Sequence, residues 1–420
     1  MTANRRLGPQ WAGALCIGLL LSPVLTPSAW AISLAEAVRH GLAIHPMVAA
    51  AQAELDAAGT DVAIARDGYW PTVQLSAGPE NSLWGEVGYD ITASQMLYDW
   101  GRVRSQVESA SAVERQQLEG FKVTSDEAAL DIIEVYLDVL LFEARLEAVE
   151  RHIERLEALT ALSRDRSGFG YMDRGEAERA ELELARAFEQ RAMERGALAE
   201  ANAAFRELLA RPAMELVWPD PASLTERLRD TEALEEAVAE APLFRQASEK
   251  IEAARAEREE SRASLKPQLN LEGSMLRREI GGRMEEDAVI ALRLRMDAFQ
   301  GFSNFRRVEA AGQRVEAARW NQQATQRDLR RDITAWVEHE EVLGWRLESL
   351  ARQLDNATEV TEAYQEQFQV GMRNIDDLLP IQRDLFEAER QISEIESQRI
   401  RIQYRVAARL GWLGELLGGG

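Results

Sequence analysis

The chain contains two copies of one heptad pattern, separated by a fixed distance of 201 residues. The first copy runs through nine positions: Ala128, Ile132, Val135, Val139, Phe142, Leu146, Val149, Ile153 and Leu156. The second copy consists of Leu329, Ile333, Trp336, Glu340, Leu343, Leu347, Leu350, Leu354 and Ala357. Alternating spacings of four and three are typical of the seam along which one long helix packs on another. The chain is therefore a tandem duplication built on two long helices, and Glu340 is the one polar residue of either seam.

The first long helix carries a second apolar row, turned away from the main seam. This row consists of Ile133, Leu137, Leu140 and Ala144. A helix in a two-stranded coiled coil needs one seam, whereas a helix in a wall or closed ring has a neighbour on each side. The second row therefore favours a barrel of helices over an isolated rod.

Each half of the chain has the same predicted order of elements: an opening helix, two strands, a long helix and a shorter return helix. The opening helices are predicted at 47–66 and 243–264, the strands at 72–78, 86–98, 268–276 and 288–299, and the long helices at 102–166 and 303–368. The strands are predicted from alternation of apolar and polar residues, as in Leu292-Arg-Leu-Arg-Met296. At ~1.5 Å per residue, each long helix spans on the order of 100 Å.

The first 31 residues have the pattern of a secretory signal. Arg5 and Arg6 precede an apolar stretch at 11–21, and Ala29 and Ala31 form a small-x-small motif with cleavage predicted after Ala31. The apolar stretch is about half of the ~20 residues that a membrane-spanning helix needs. We therefore expect the mature chain to be exported.

Composition and missing motifs argue against several classes of function. With 71 acidic and 49 basic residues the net charge is −22, and so negative a surface repels nucleic acids. The single cysteine, Cys16, lies inside the signal and lacks the small preceding residue of a lipid-attachment box. The four histidines lack metal-ligand spacing, and no Walker loop, nucleophile elbow or zinc-protease motif appears. We expect no metal, no cofactor, no nucleic-acid partner and no enzymatic activity.

These patterns divide the chain into five segments: signal peptide 1–31, first repeat 32–211, connecting segment 212–232, second repeat 233–413 and tail 414–420. Four strands per chain cannot close a membrane barrel, because the smallest known barrels have about eight and hydrocarbon does not tolerate open sheet edges. Several chains would have to share one barrel, and three chains with four strands each give twelve. Spacing alone leaves open the alternative of a soluble sheet that caps a helical protein.

The order of the elements resembles that of the TolC family. The resemblance covers residues 33–413 and includes the Tyr98-Asp-Trp-Gly101 step into the first long helix and the Gly371-Met-Arg-Asn-Ile-Asp-Asp-Leu378 turn. It implies a homotrimer that is mainly α with a small β part. Tandem-duplicated long helical hairpins would form a trimeric α-helical barrel in the periplasm, continued by a shared 12-stranded β-barrel in the lipid of the Gram-negative outer membrane.

The resemblance implies a passive exit duct of a tripartite export system. Its partners would be a periplasmic adaptor, or membrane fusion protein, and an inner-membrane ABC or proton-driven transporter. The missing lipid box and short C-terminus favour type I protein secretion, with multidrug or metal efflux as the alternative. The competing class is a soluble periplasmic coiled-coil structural or adaptor protein.

The resemblance also implies a gate at the periplasmic end, where the predicted hairpin turns contain Gly170 and Gly371. An aspartate ring that narrows the tunnel entrance matches Asp377. A second ring of the founding member falls on Pro380, and Asp376 is the candidate to replace part of its charge. Three carboxylates around a narrow axis would attract cations.

A contact that holds the closed state of the family matches Arg373 and Glu176. Phe368 stands where the founding member has a tyrosine, so that hydroxyl bond is lost here. The alternative interpretation of Arg373 and Glu176 is a pair of solvated charges at helix ends.

Overall fold

The computed structural model describes residues 32–79, 87–171, 173–220, 223–280, 283–296 and 303–417. Several predicted features lie outside these residues: the signal peptide with Ala29 and Ala31, most of the turn at 79–85, the Gly281-Gly282 turn and the end of the fourth strand at 297–299.

The described residues form helices and strands in the predicted order. They are α1 (Leu34–Ile44), α2 (Pro46–Asp67), β1 (Thr72–Pro79), β2 (Val87–Tyr98), α3 (Arg102–Gly168), α4 (Arg174–Leu209), α5 (Leu224–Arg227), α6 (Thr231–Glu240), α7 (Pro242–Ala263), β3 (Gln268–Ile280), β4 (Arg283–Arg295), α8 (Ser303–Gln369), α9 (Ile375–Leu410) and α10 (Leu413–Leu416). The two hairpins, α3–α4 and α8–α9, have the same helix lengths of 67 and 36 residues.

The bounds predicted for the strands of the second half were wrong. β3 continues to Ile280 and β4 already begins at Arg283, so residues 283–287, which lie between the two predicted strands, belong to β4. Charge pairing explains the extension, since the register places Arg277 opposite Glu286 and Arg278 opposite Glu285. Opposite charges directly across a ladder stabilise it without any alternation of apolar residues.

Local sequence signals set several helix ends. The Ser33 hydroxyl oxygen accepts a hydrogen bond of 3.3 Å from the Glu36 amide at the start of α1. Pro46 and Pro242 begin α2 and α7, where a helix has no use for the amide hydrogen that proline lacks. Gly411 ends α9 with a φ of 79°, in the left-handed region that favours glycine.

The strands form one antiparallel sheet in the order β1-β2-β3-β4. Its register collects apolar side chains on one exposed face, the apolar sheet face: Val73, Leu75, Ile91, Leu271, Met275, Ile290, Leu292 and Leu294. The opposite face carries polar residues: Thr72, Gln74, Thr92, Ser94, Asn270, Glu272, Arg293 and Arg295. On that face the Arg293 Nε lies 2.8 Å from the Glu272 carboxylate, and Arg295 pairs with the same carboxylate.

The helix α3 has neighbours on both sides, which agrees with its two apolar rows. Its first half contacts α2 and α7, and its second half packs between α4 and α9. Ile133 and Leu137 of the second row are fully buried. No helix among the described residues is both long and apolar enough to cross a membrane.

The connecting segment packs on the middle of the long helices, and we call this region the waist. Tyr136 of α3 ties it together, because its hydroxyl lies 2.8 Å from the carbonyl oxygens of Ile32 and Val217 and accepts a bond of 2.9 Å from the Val217 amide. Two apolar clusters fill the waist, one around Tyr136 and one around Leu329. A third cluster, around Phe368, fills the ends of the hairpins, which we call the tips.

Glu340, the polar residue of the second seam, is buried because it anchors the connecting segment. The Nε and Nη2 atoms of Arg399 donate to its Oε1 at 3.0 and 2.7 Å, and the Thr225 hydroxyl donates to its Oε2 at 3.4 Å. Gln403 completes the network by accepting from the Leu224 amide at 2.9 Å and donating to the Thr225 hydroxyl at 2.8 Å. A buried carboxylate is tolerated when such partners satisfy it.

Candidate functional site

The two hairpin turns have the same backbone geometry. Gly170 and Gly371 have φ values of 75° and 82°, in the left-handed region. The amide of the following residue reaches back to the long helix in both turns, from Tyr171 to the Arg166 carbonyl and from Met372 to the Gln367 carbonyl, each at 2.8 Å. This is the Schellman motif, in which glycine avoids the strain that a side chain would create. Both glycines of the sequence analysis thus lie where the chain reverses.

The acidic residues of the predicted constriction lie in the first turn of α9. Asp377 accepts a hydrogen bond of 3.4 Å from the Asn374 amide, and its carboxylate lies 3.6 Å from the Arg373 guanidinium. Asp376 pairs with Arg179 of α4. Both carboxylates are about half exposed, with 45% and 51% of the side-chain surface accessible. They lie at the N-terminal, positive end of the α9 dipole.

Arg373 and Glu176 are not joined within the chain. The Arg373 Nε donates to the Gln367 side chain at 3.0 Å, and its guanidinium lies 3.9 Å from the centre of the Tyr364 ring. Together with Asp377, these contacts all belong to the second hairpin. Glu176 lies in the first turn of α4 and raises the pKa of Arg179 slightly, after the larger effect of Asp376.

Two arginines that the sequence analysis did not select connect the hairpins at the tips. The Arg166 guanidinium donates to the Phe368 carbonyl and lies 4.7 Å from the centre of the Phe368 ring. Arg179 forms the exposed pair with Asp376. Phe368 itself is fully buried, so its ring contributes packing where a tyrosine would bring a hydroxyl.

One sequence signal could have identified Arg166, and no comparable signal exists for Arg179. A cation in the last turn of a helix is a common partner of free carbonyl groups, and Arg166 lies in the last turn of α3. Its actual partner carbonyl belongs to the other hairpin, 202 residues away. Arg179 resembles the other arginines of an acidic helix, and only the packing of α4 near α9 selects Asp376 as its partner.

Farther from the tips, a ladder of ion pairs joins α3 to α9. Its rungs are Arg155–Glu389 at 3.1 Å, Arg145–Glu394 at 3.8 Å, Arg401–Asp138 at 2.6 Å and Arg401–Glu134. The arginines lie on α3 near the tips and on α9 near the waist. The two hairpins are thus held together by charge over much of their length.

A buried histidine lies beside the Arg155–Glu389 rung of this ladder. The His152 ring stacks on Phe386 of α9 with ring centres 4.6 Å apart, and its Nδ1 has no hydrogen-bond partner among the described residues. Burial, assisted by the neighbouring Arg155 and opposed by Glu183, lowers the pKa of His152 to about 4. A proton on this ring is therefore disfavoured in the packed arrangement.

The tips therefore contain contacts between arginine and acidic side chains. These contacts join two helical hairpins that could separate. Within the described ranges, no three histidine, cysteine, aspartate or glutamate side chains lie together as metal ligands would.

Comparison with known proteins agrees with this architecture. The profile of the family described as "Outer membrane efflux protein" matches residues 38–211 and 233–412. The chain is 24% identical over 303 residues to Protein CyaE of Bordetella pertussis, an alignment that covers 68% of this chain and 64% of CyaE. It therefore spans slightly less than two thirds of that relative.

Solved structures share the fold at low sequence identity. The outer membrane protein VceC from Vibrio cholerae superposes with a TM-score of 0.77 at 15% identity, over 90% of this chain and 96% of VceC. The open-state MtrE outer membrane channel of Neisseria gonorrhoeae gives a TM-score of 0.74 at 19% identity, over 90% of this chain and 88% of MtrE. At these identities the similarity establishes the fold.

Proposed function

The chain belongs to the outer membrane efflux protein family, and we propose that it is a passive exit duct of the Gram-negative outer membrane. Three copies share a 12-stranded β-barrel in the membrane, and their helical hairpins form a tunnel in the periplasm. A periplasmic adaptor and an inner-membrane ABC or proton-driven transporter supply cargo and energy.

The main support for the proposal is the sheet, which has one apolar face and one polar face. Ile290 and Leu75 on the apolar sheet face have 83% and 71% of their surface exposed, and the other face carries mainly polar residues. Such a sheet suits lipid on one side and water on the other. The outer strands, β1 and β4, have free edges in a single chain, so neighbouring chains are needed to pair them.

Exposed apolar residues on the helices support the same assembly. In the second half of α8, Val342 and Trp345 are 44% and 61% exposed, and α4 exposes Leu182 and Met193 at 52% and 62%. Large apolar side chains on long helices are typical of surfaces that pack against another helix. Neighbouring copies would cover them in a closed ring.

The test is reconstitution of the purified protein into a planar bilayer. We expect a heat-dissociable trimer from outer-membrane fractions that conducts ions in single-channel recordings. A monomer that needs no detergent and leaves the bilayer conductance unchanged would contradict the proposal and support the soluble periplasmic alternative.

We further propose that the tips form the gate, with Asp377 and Asp376 facing the entrance. Asp377→Asn should weaken block of the channel by trivalent cations, because the ring loses its charge. Asp384→Asn is the matched control, since Asp384 is an exposed acid farther along α9. Equal blocker affinity in all three proteins would exclude the Asp377 ring.

Arg373 and Glu176 are proposed to pair between neighbouring copies. Arg373 lies at the turn between α8 and α9 with a third of its side chain exposed, and Glu176 starts α4, the helix that exposes apolar residues to a neighbour. Replacing both by alanine should raise the conductance of the resting channel. A double variant that conducts like the wild type would contradict this contact.

For the cargo we favour type I protein secretion, with multidrug or metal efflux as the alternative. The sequence support is Cys16, whose preceding Leu15 does not fit a lipid-attachment box. Deletion of the gene should remove a protein from the culture medium and leave sensitivity to drugs and metals unchanged. Increased drug or metal sensitivity with an unchanged set of secreted proteins would favour the alternative.

A further inference from the structure

A cavity of about 330 Å³ lies at the waist, between α8, α9 and the connecting segment. Three large side chains form its apolar walls: Trp218 of the connecting segment, Leu347 of α8 and Ile400 of α9. The volume is near the lower end of the ~300–1,000 Å³ typical of small-molecule sites. The cavity lies away from the tips.

The polar side chains that line the waist cavity already have partners, with one exception. Glu340, Arg399 and Gln403 line it, and all three are engaged in the network that anchors the connecting segment. Arg229 adds a second cation 3.9 Å from Glu340. The exception is Glu396, which lines the same cavity and has no hydrogen bond or ion pair with any described residue.

The surplus charge of the cavity is therefore negative. Arg229 is shared with Glu341, which lies 3.8 Å away, so two arginines face the three carboxylates of Glu340, Glu341 and Glu396. Glu396 lies one helical turn before Arg399 and feels its charge, but the Arg399 guanidinium is directed to Glu340. Glu396 is exposed, and the burial of part of its surface raises its pKa against the opposing charge of Arg399.

We propose that the waist cavity binds a small organic cation with an aromatic or apolar body. The cationic nitrogen lies between the Glu396 carboxylate and the Trp218 ring, and the body packs on Leu347 and Ile400. Tryptophan is the strongest aromatic partner of a cation, and a quaternary ammonium needs no hydrogen-bond acceptor beyond the charge of Glu396. Anions of the same size are excluded by the negative surplus.

Binding of such a cation stabilises the waist, because the ligand bridges the connecting segment and α9. A ligand that binds only the folded chain raises the temperature at which the protein unfolds, by an amount that grows with its concentration. The effect does not depend on cargo, on the adaptor or on an open gate. The test of cation binding can therefore succeed or fail independently of the test of the proposed conduit function.

The experiment is isothermal titration of the full-length protein, held in amphipol, with benzyltrimethylammonium chloride at pH 7.5. We expect saturable binding, one ligand per chain. Glu396→Gln should weaken it at least about tenfold, because a charge contact is lost. Asp384→Asn removes an exposed acid of the same helix outside the cavity and should leave the affinity unchanged. Trp218→Leu, an independent variant that keeps the charge, should weaken binding several-fold.

Two probes test the chemistry of the ligand. Benzenesulfonate, an anion with the same ring, should not bind, and tetramethylammonium, which lacks the ring, should bind more weakly than benzyltrimethylammonium. The proposal is overturned by an absence of saturable binding up to about 10 mM. It is equally overturned if Glu396→Gln binds as tightly as the wild type while keeping the same unfolding temperature without ligand.

Discussion

The waist and the tips of this molecule are held together by different kinds of contact. At the waist, the Glu340 carboxylate is 8% exposed and bonds to Arg399 and Thr225, and Gln403 extends the network to the backbone of the connecting segment. At the tips, Arg179 and Asp376 meet with 61% and 51% of their side chains exposed.

This difference in exposure indicates that the hairpins separate more easily at the tips than at the waist. A buried pair is costly to break, because separation leaves an uncompensated charge in a poorly solvated place. An exposed pair contributes little, because water replaces the lost partner at once. The proposed duct, which opens at one end, needs the second kind of contact at that end and the first kind elsewhere.

The largest expected effect is at the waist. Glu340→Ala leaves Arg399 and Thr225 without their shared acceptor, and we expect the free energy of unfolding to fall by ~2–3 kcal/mol. Denaturant unfolding followed by circular dichroism measures it. Glu341→Ala is the control, since Glu341 is 35% exposed and contacts Arg229 only at 3.8 Å, and its effect should stay within ~0.5 kcal/mol. Equal losses in both variants would remove the distinction between waist and tips.

The second expected effect is a loss of stability at low pH, caused by His152 beside the ladder. The pKa of about 4 for packed His152 lies below the ordinary 6.5, so the separated hairpins bind a proton that the packed ones do not. The contribution of His152 to stability is therefore complete above pH 6.5 and declines as the pH falls towards 4, with a loss of about 2 kcal/mol at pH 5. Hydrogen exchange of α4, corrected for intrinsic rates, should accelerate over this range.

His152→Phe should abolish this pH dependence, because phenylalanine can stack on Phe386 and cannot be protonated. His339→Gln, which removes an exposed histidine of α8, serves as the control and should retain it. If α4 exchanges equally at pH 7 and pH 5 in the wild-type protein, His152 has no part in holding the hairpins together.

The third expected effect, at the waist, has the opposite pH dependence, because here stability is lost as the pH rises. Burial raises the pKa of Asp126 to about 7, above the ordinary 3.8, so the folded chain retains a proton that the unfolded chain loses. The contribution of Asp126 to stability is complete below pH 3.8 and is lost as the pH rises through 7. Asp126→Asn should therefore raise the unfolding temperature at pH 8 and change it little at pH 5. An equal shift at both pH values would exclude ionisation as the cause.

The smallest effect belongs to the exposed pair at the tips. Arg179→Ala should increase the open probability of the resting channel by about two- to fivefold and leave the unfolding temperature unchanged. Arg174→Ala provides a control, because Arg174 pairs at 3.7 Å with Glu178 of its own helix and joins no hairpins. An Arg179→Ala channel with a lower unfolding temperature would show that the tips are as firmly anchored as the waist.

The sequence predicts the periodic features of the molecule well. The heptad seams identify both long helices, and the fixed shift of 201 residues places Gly170 and Gly371 in equivalent turns. These features are local, because spacing along a helix determines which side chains share a face. The strands of the second half were misplaced at Glu285 and its neighbours, since charge pairing across the ladder replaces apolar alternation there.

The contacts between hairpins could not be predicted in the same way. With 49 basic and 71 acidic residues, almost every arginine has several acids within reach of some helix packing. Only the rotation of each helix about its axis decides that Arg179 meets Asp376 and that Arg166 meets the Phe368 carbonyl. Glu340 appeared as a defect of its seam for the same reason, because its partner Arg399 belongs to another helix.

The pairing of β2 with β3 constrains the order in which the chain can assemble. Tyr98 of β2 pairs with Leu269, and the 170 residues between them include a whole helical hairpin. On the proposed export route, a chain that reaches the periplasm N-terminus first can pair β1 with β2, but the other edge of β2 stays unpaired until β3 has followed. Pairing over such a distance is slow, and an unpaired apolar strand readily joins foreign chains. We expect newly exported molecules to depend on a holding chaperone during that interval.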